Sequence, residues 1–328
     1  MLLSKGNLNC ITDVLGVKVG HVTLHEKIND SDTICTGVTA ILPHGGNLFA
    51  KKTRAGSHII NGYGKTTGLV QLDELGLLES PIMLTNTFSV GAVMQGTLNY
   101  MLNQNKEIGD STSSINLVVG ECNDSYLNSM RISAIKPKHA VQAIEKATTD
   151  PIKQGAIGAG KGMMCFGQKG GIGTASRIVT SDKQSYTVGI LVLSNYGKPD
   201  DALFSDLNSL KIDPPDGSIM IIIATDAPLY DRQLKRLSKR CTAGLGRTGS
   251  HIGNGSGDIA IAFSTANTYL HDSSQLTESV ESIRDDHPMM NYLFQAVVET
   301  TEEAVINSLK FAETTVGRQG RVVKKAVL

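Results

Sequence analysis

The sequence predicts an α+β fold in which strands and helices form layers. Segments typical of the two element types interleave along the chain without the regular β–α–β order of a doubly wound sheet. Several predicted strands follow one another directly, and this order favours antiparallel pairing. The 328 residues, 40% of them apolar, suffice for one large domain or two ordinary ones. No internal repeat divides the sequence.

The predicted strands are short apolar runs bounded by glycine, proline and polar residues. In the second of them Val38, Ala40 and Leu42 recur at every other position, as the side chains on one face of a strand do. Strands are expected over residues 16–24, 36–42, 81–84, 115–119, 156–165, 186–193, 218–224 and 258–263. Residues 55–68, which contain Asn61-Gly62-Tyr63-Gly64, are expected to form a glycine-rich loop.

Four segments have the apolar spacing of helices. The first covers residues 89–102 and has Ser89 as its predicted N-cap. The second covers residues 137–148 and begins at a proline, which suits the first turn of a helix. The other two are expected over residues 232–243 and 292–315. Residues 197–217 are polar and rich in Asp and Pro, so we expect a linker there.

The composition argues against several classes of partner. The 31 basic and 31 acidic residues give a formal charge of zero, so there is no electrostatic attraction to nucleic acid or to an anionic membrane. No apolar run approaches the roughly 18–20 residues of a membrane span, and the N-terminus lacks a signal-peptide core. The five cysteines are odd in number and widely spread, so we expect reduced thiols in a cytoplasmic protein.

The candidate nucleophile is a serine where a loop meets a buried strand. The turn sequence Pro214-Pro215-Asp216-Gly217 ends directly before Ser218, and the apolar run 219–224 follows. Glycine leaves this peptide bond unhindered, so the serine oxygen can attack it and form an ester that water opens. The product carries a nucleophilic oxygen beside an amine whose reference pKa is about 7.7–8.0, and this amine can serve as the base. An ordinary loop-to-strand junction explains the same residues.

Three other motifs do not fit their context. Residues 244–249 match G-x-G-x-x-G, but a predicted helix precedes them where a dinucleotide site needs a strand. Residues 155–161 begin like a phosphate loop, but Gly162 occupies the position where Ser or Thr holds magnesium. His21 and His25 lie in strand-like sequence without a companion carboxylate, and no cysteine has a C-x-x-C partner, so a metal site is not expected.

A glycine-rich stretch over residues 247–267 resembles the DmpA/BapA family of self-processing aminopeptidases. Its sequence is Arg-Thr-Gly-Ser-His-Ile-Gly-Asn-Gly-Ser-Gly-Asp-Ile-Ala-Ile-Ala-Phe-Ser-Thr-Ala-Asn. Gly217-Ser218 and the later Ala-Thr-Asp-Ala-Pro-Leu at 224–229 are similar to the family's cleavage site and nucleophile strand. Further collinear matches cover almost the whole chain, over residues 9–24, 36–43, 56–61, 81–90, 158–178 and 191–197. Members are also called L-aminopeptidase/D-esterase or β-peptidyl aminopeptidase enzymes.

The resemblance implies a four-layer α/β/β/α sandwich of the DmpA/ornithine-acetyltransferase-like type, similar to N-terminal-nucleophile hydrolases. It implies a single catalytic domain over residues 1–328 that cuts itself between Gly217 and Ser218. The fragments 1–217 and 218–328 are expected to stay together, and the cleaved pairs to form a homo-oligomer. No metal or organic cofactor is expected. The implied activity removes the amino-terminal residue of small peptides, amides or esters.

The resemblance also implies a role for each site residue. Ser218 corresponds to the nucleophile, Ser256 to a second serine that orients it or relays protons, and Asp258 to the acid behind them. Asn195 corresponds to the oxyanion donor, a contact worth roughly 3–4 kcal/mol in other enzymes. Glu121 corresponds to the acid that holds the substrate's amino group. Each also has an ordinary explanation: a turn for Ser256 and Asp258, a loop cap for Asn195, a salt bridge for Glu121.

Two positions depart from the family's pattern, and two other functions stay open. Asn123 stands where some members have a tyrosine and cannot supply a phenol proton, and Lys65 stands where an acid is expected, so substrate choice can differ. A hydrolase of synthetic or cyclic amides, or an acyltransferase, would share Ser218 but would not need Glu121. A catalytically silent member would serve as a binding or assembly subunit and remain one unbroken chain.

Overall fold

The computed structural model describes residues 3–181, 183–204 and 217–328. In these residues two main β-sheets pack face to face, with helices on both outer sides, and two further sheets have two short strands each. The strands are β1 (Lys18–Lys27), β2 (Thr33–Leu42), β3 (Lys51–Gly62), β4 (Leu77–Leu78), β5 (Ile82–Asn86), β6 (Val118–Cys122), β7 (Met164–Cys165), β8 (Gln168–Lys169), β9 (Gly171–Ser181), β10 (Gln184–Asn195), β11 (Ser218–Thr225), β12 (Gly257–Leu270), β13 (Thr315–Val316) and β14 (Val322–Val323). The α-helices are α1 (Leu69–Leu75), α2 (Val90–Gln104), α3 (Pro137–Glu145), α4 (Asp231–Thr248) and α5 (Met289–Lys310).

The larger sheet has six strands in the order β4-β3-β12-β11-β10-β9. The smaller sheet has four strands in the order β1-β2-β5-β6. Within these two sheets pairing is antiparallel, as the strand order predicted, except for the parallel pairs β11–β12 and β5–β6. In both exceptions a helix joins the two strands, α4 in the first and α2 in the second, and a parallel pair needs such a crossover.

The burial pattern gives the order of the layers. Met220 and Ile222 of β11 pack between the sheets against strands of the smaller sheet. Ile219 and Ile221, on the opposite face of the same strand, pack against α4 and α5. Helices α2 and α3 cover the outer face of the smaller sheet. The layers are therefore α/β/β/α, as the resemblance implied, and β11 is buried along its whole length.

Two predicted elements are wrong. Residues 156–165 do not form a long strand, because Gly158–Gly162 is a 3-10 turn and only Met164–Cys165 pairs. Residues 55–62 of the predicted loop belong to β3, in the ladder beside β12. The glycine in this strand serves close packing, since a Cβ on Gly56 would lie 2.6 Å from the carbonyl oxygen of Asp231 in α4.

The other predicted elements exist, with shifted bounds. Strand β6 begins three residues later than the predicted strand at 115, and β9 was not predicted. Ser89 occupies the N-cap of α2 without a side-chain cap bond, while Asn86 caps the preceding 3-10 turn by accepting from Phe88 N. Residues 244–249 form the last turn and C-cap of α4, which ends at Gly249 with a φ of 107°. Residues 205–216, most of the predicted linker, lie outside the described residues.

Replacing Gly173 in β9 with Ala is expected to lower the free energy of unfolding by about 1–3 kcal/mol, because the added methyl group overpacks the contact with α5. A Cβ at Gly173 would lie 1.9 Å from the carbonyl oxygen of Ala304. Denaturant unfolding measures the change. Gly91→Ala in α2 is the control, because nothing lies within 4 Å of the added atom. We expect it to leave stability unchanged or to raise it; equal effects of the two substitutions would contradict the packing argument.

Candidate active site

Ser218 is the first residue of β11, and the two adjacent strands fix its surroundings. It lies opposite Asn195 of β10 in the antiparallel ladder and opposite Gly257 of β12 in the parallel ladder. Its Oγ accepts a hydrogen bond of 3.1 Å from Gly257 N, and its side chain is buried. A Cβ on Gly217 would come 1.8 Å from the carbonyl oxygen of Asn195, so glycine is required where the chain enters this strand. The register therefore brings together residues that are distant in sequence.

Ser256 and Asp258 flank Gly257, which lies opposite Ser218, and form a hydrogen-bonded pair. Ser256 Oγ donates to Asp258 Oδ1 at 2.6 Å. Burial raises the pKa of Asp258 to about 6, although hydrogen bonds from Ser256 and from the backbone of Ile219 act in the opposite direction. An acid whose pKa lies near neutral pH can both accept and donate a proton, which a relay to Ser218 would need.

Asn61 was not predicted to support the site, but in the structure it bonds the backbone of the loop that carries Ser256. It lies at the end of β3, and its Nδ2 donates to the carbonyl oxygen of Ser256 and, at 3.2 Å, to that of Gly253. These bonds hold the loop that carries Ser256 against the sheet. The sequence contained no signal for this, because Asn61 lies in a stretch that was predicted to be a loop.

Asn195 is held with its amide in one orientation. Its Oδ1 accepts from Met164 N at 2.9 Å, and its Nδ2 donates to the carbonyl oxygen of Asn123 at 3.0 Å. Because Oδ1 is occupied by a backbone N–H, the NH₂ group is fixed as the donor end. This group carries a second hydrogen, which an oxyanion donor needs. Asn123 thus contributes its backbone here, and its side-chain Oδ1 accepts from Ser125 N at 2.9 Å.

Glu121 lies at the end of β6 and is 3% exposed. Its Oε1 accepts from Lys65 N at 2.9 Å, and its Oε2 accepts from the Thr87 hydroxyl. Gly64, in the loop after β3, lies between the Glu121 carboxylate and the start of β12. A Cβ on Gly64 would be 3.7 Å from Glu121 Oε1 and 3.8 Å from the Cα of Gly257. Within the described parts of the chain no ion pair involves Glu121, and both hydrogen bonds to its carboxyl group come from neutral donors.

The remaining sequence candidates lie elsewhere. His21 bonds Thr39 through Nδ1, and burial lowers its pKa to about 4, while His25 bonds the carbonyl oxygen of Val316. Among residues 3–181, 183–204 and 217–328 no group of three or more His, Cys, Asp or Glu side chains could hold a metal ion. All five cysteines are buried and free. None of the described helices has the length and apolar character needed to cross a bilayer.

The raised pKa of Asp258 predicts a pH-dependent effect of Asp258→Asn on stability. Because the folded chain binds this proton more tightly than the unfolded chain, the carboxyl group stabilises the fold most below about pH 4, and that contribution is lost as pH rises through about 6. The unfolding free energy of Asp258→Asn relative to Asp258 should therefore increase by roughly 2–3 kcal/mol between pH 4 and 7. Both proteins are compared in a Ser218→Ala background, which removes the nucleophilic hydroxyl. Parallel stability curves would show that Asp258 ionises normally.

Comparisons with known proteins identify the family. Residues 9–323 match Peptidase family S58. The β-peptidyl aminopeptidase BapA of Sphingosinicella microcystinivorans is 38% identical over 350 residues, covering 98% of this chain and 86% of that protein. The crystal structure of a protein from Pyrococcus horikoshii OT3 is 48% identical, with a TM-score of 0.92 over 99% of this chain and 93% of the other.

A further similar structure is that of an enzyme whose activity and fold are both described. The L-aminopeptidase D-Ala-esterase/amidase of Ochrobactrum anthropi is described as a prototype of the serine aminopeptidases and a variant of the Ntn hydrolase fold. It is 34% identical, with a TM-score of 0.93 over 100% of this chain and 93% of the other. The chain therefore belongs to peptidase family S58 and is a serine-type aminopeptidase or amidase of the N-terminal-nucleophile kind.

Proposed function

We propose that the chain cuts itself between Gly217 and Ser218 and that the new N-terminal serine then removes the amino-terminal residue of small peptides, amides or esters. The observation that carries this proposal is the register of β11, in which Ser218 opens the strand opposite Asn195 and Gly257. Gly217 precedes Ser218 where the chain enters the strand, so the carbonyl group that Ser218 would attack belongs to the adjacent residue.

Self-cleavage begins when Ser218 Oγ attacks the carbonyl carbon of Gly217. The bond from this carbon to the Ser218 nitrogen breaks, the nitrogen takes the hydroxyl proton, and an ester between the two residues results. Water then hydrolyses the ester, leaving a carboxylate on Gly217 and a free amine and hydroxyl on Ser218. That amine and hydroxyl belong to one residue, so the base lies within reach of the nucleophile without any further rearrangement.

Substrate hydrolysis repeats the same chemistry on an external amide. The Ser218 amine takes the hydroxyl proton as Oγ attacks the substrate carbonyl, and Asn195 Nδ2 donates to the developing oxyanion. The leaving amine accepts the proton, an acyl-enzyme remains, and water releases the acid. The Ser256–Asp258 hydrogen bond of 2.6 Å supports a proton-relay role for this pair.

Glu121 is the proposed binding group for the substrate's ammonium. A buried carboxylate that accepts only neutral hydrogen bonds keeps its net charge, and a cationic substrate offsets the cost of burying it. The name of the relatives, β-peptidyl aminopeptidase, supports β-peptides as one candidate substrate class for this chain; in a β-peptide the amine lies one carbon farther from the carbonyl than in an α-peptide. No sequence motif chooses between α-peptides, β-peptides and D-amino esters, and we assign this choice to the loop that contains Tyr63 and Lys65, because Lys65 N donates to Glu121 Oε1 at 2.9 Å.

We further propose that cleaved heterodimers assemble into a homo-oligomer in the cytoplasm. The support for the compartment is that all five cysteines are free thiols in the described chain. The support for assembly is the resemblance.

Intact-mass measurement under denaturing conditions tests self-cleavage. The wild-type chain should give two fragments that meet at Gly217/Ser218, whereas Ser218→Ala should give one chain, because the attacking hydroxyl is gone. Ser264→Ala is a matched control: this buried serine donates to the carbonyl oxygen of Ala227 at 2.6 Å, away from the junction, and its variant should be cut normally. A single unbroken wild-type chain would favour the catalytically silent member.

The amine-binding role predicts a change in substrate discrimination. Glu121→Gln should lower the ratio of kcat/KM for a free-amine peptide anilide to that for its N-acetylated form by about 10²-fold, because an unpaired buried ammonium costs several kcal/mol. Glu79→Gln is the control, since Glu79 is also buried and accepts from Asn116 N at 2.7 Å. It should leave the ratio unchanged. An unchanged ratio in Glu121→Gln would favour a hydrolase of cyclic amides or an acyltransferase.

A further inference from the structure

Lys169, the last residue of β8, is a lysine with no solvent exposure. Its ammonium group donates three hydrogen bonds, to the carbonyl oxygens of Gly160 (3.0 Å), Met163 (2.6 Å) and Gly170 (2.7 Å). An ammonium has three hydrogens, so each has its own acceptor. Burial lowers the pKa of Lys169 to about 7, and the three carbonyl acceptors favour the charged form of the amine. The backbone here is therefore arranged around the charge.

The three carbonyl groups belong to a segment that contacts the proposed oxyanion donor. This segment runs from the 3-10 turn Gly158–Gly162 through the short hairpin β7–β8 to the start of β9. Met163, which accepts from Lys169, directly precedes Met164, whose N–H donates to Asn195 Oδ1 at 2.9 Å. Phe166 N donates to the carbonyl oxygen of Tyr196, the residue after Asn195, at 2.8 Å. The lysine thus closes the base of a hairpin that holds two successive residues of β10 and its extension.

We propose that Lys169 is a positioning residue for Asn195. The inference rests on the proposed function, in which Asn195 Nδ2 stabilises the oxyanion. The Met164 N–H fixes which end of the amide is the oxygen; if Met164 moves, only the bond from Nδ2 to the carbonyl oxygen of Asn123 still orients the amide. By joining three carbonyl groups on both sides of the hairpin, the ammonium keeps Met164 N in place. A displacement of about 1 Å at a catalytic group can cost about 10²-fold in rate.

A double-mutant cycle on kcat tests this proposal. Asn195→Ala alone should lower kcat by about 10²–10³-fold. Lys169→Met, which keeps the length of the side chain and removes the charge, should lower kcat by about 10–10²-fold and leave KM within about threefold. In the Asn195→Ala background Lys169→Met should lower kcat by less than about threefold more, because its effect passes through the missing amide. All rates are expressed per cleaved chain, as counted by intact mass.

Arg177→Met controls for the general effect of removing a buried cation. Arg177 is 4% exposed and bonds Glu299 at 3.1 Å and Glu303 at 2.6 Å, and it lies six residues beyond the start of β9. It should lower the melting temperature and leave kcat unchanged. If Lys169→Met does not fold, the cycle is run with Lys169→Arg, whose planar group keeps the charge but cannot reach the three carbonyls in the same way.

The outcomes separate the two proposals. An unchanged kcat in Asn195→Ala would overturn the oxyanion role of Asn195 itself, and the inference about Lys169 with it. A large loss in Asn195→Ala, combined with fully multiplicative losses in the double variant, would overturn the positioning role alone. A Lys169 variant that folds but stays uncut would also count against it, since the lysine would then serve processing. Non-multiplicative losses with an unchanged KM support it.

Discussion

The backbone pairing of β11 with β10 and β12 is the interaction on which the candidate site depends. Buried peptide groups must find hydrogen-bond partners, so the two ladders have little freedom to shift. A slip of one residue would turn every side chain of β11 to the opposite core. The same register that separates Met220 from Ile221 therefore also sets Ser218 opposite Asn195 and Gly257. The proximity of Ser218 to Asn195 and Gly257 therefore follows from the packing of two different cores against the two faces of one strand.

The sequence predicted the nucleophile strand because its signals are local: turn residues, then a β-branched run that ends before Asp226. The supporting residues were beyond sequence analysis because their roles depend on contacts between strands. Asn61 matters only because β3 lies beside β12, and Thr87 only because a 3-10 turn brings it to Glu121. The predicted strand at 156–165 failed for a related reason, since its glycines serve close contacts with β2 and β9 and no apolar pattern records that.

The buried charges near the site share one feature. Glu121 and Asp258 accept hydrogen bonds from hydroxyl and backbone donors, and Lys169 donates to carbonyl groups. Away from the site, buried Arg177 is instead paired with Glu299. Neutral partners satisfy the geometry of a charged group without cancelling its charge. Charges held in this way remain able to act on a substrate or on a neighbouring dipole, at the cost of a less stable fold.

The strand order of the larger sheet has a consequence for a chain cut at Gly217. Strands β11 and β12 and helices α4 and α5 come after this point, whereas β3 and β10, which flank the two strands, come before it. Each half of the cut protein would supply interior strands that lie between or beside strands of the other. Separating the halves would break two buried ladders and open both cores. Dissociation and unfolding would then be a single event, and the two polypeptides would behave on dilution as one molecule.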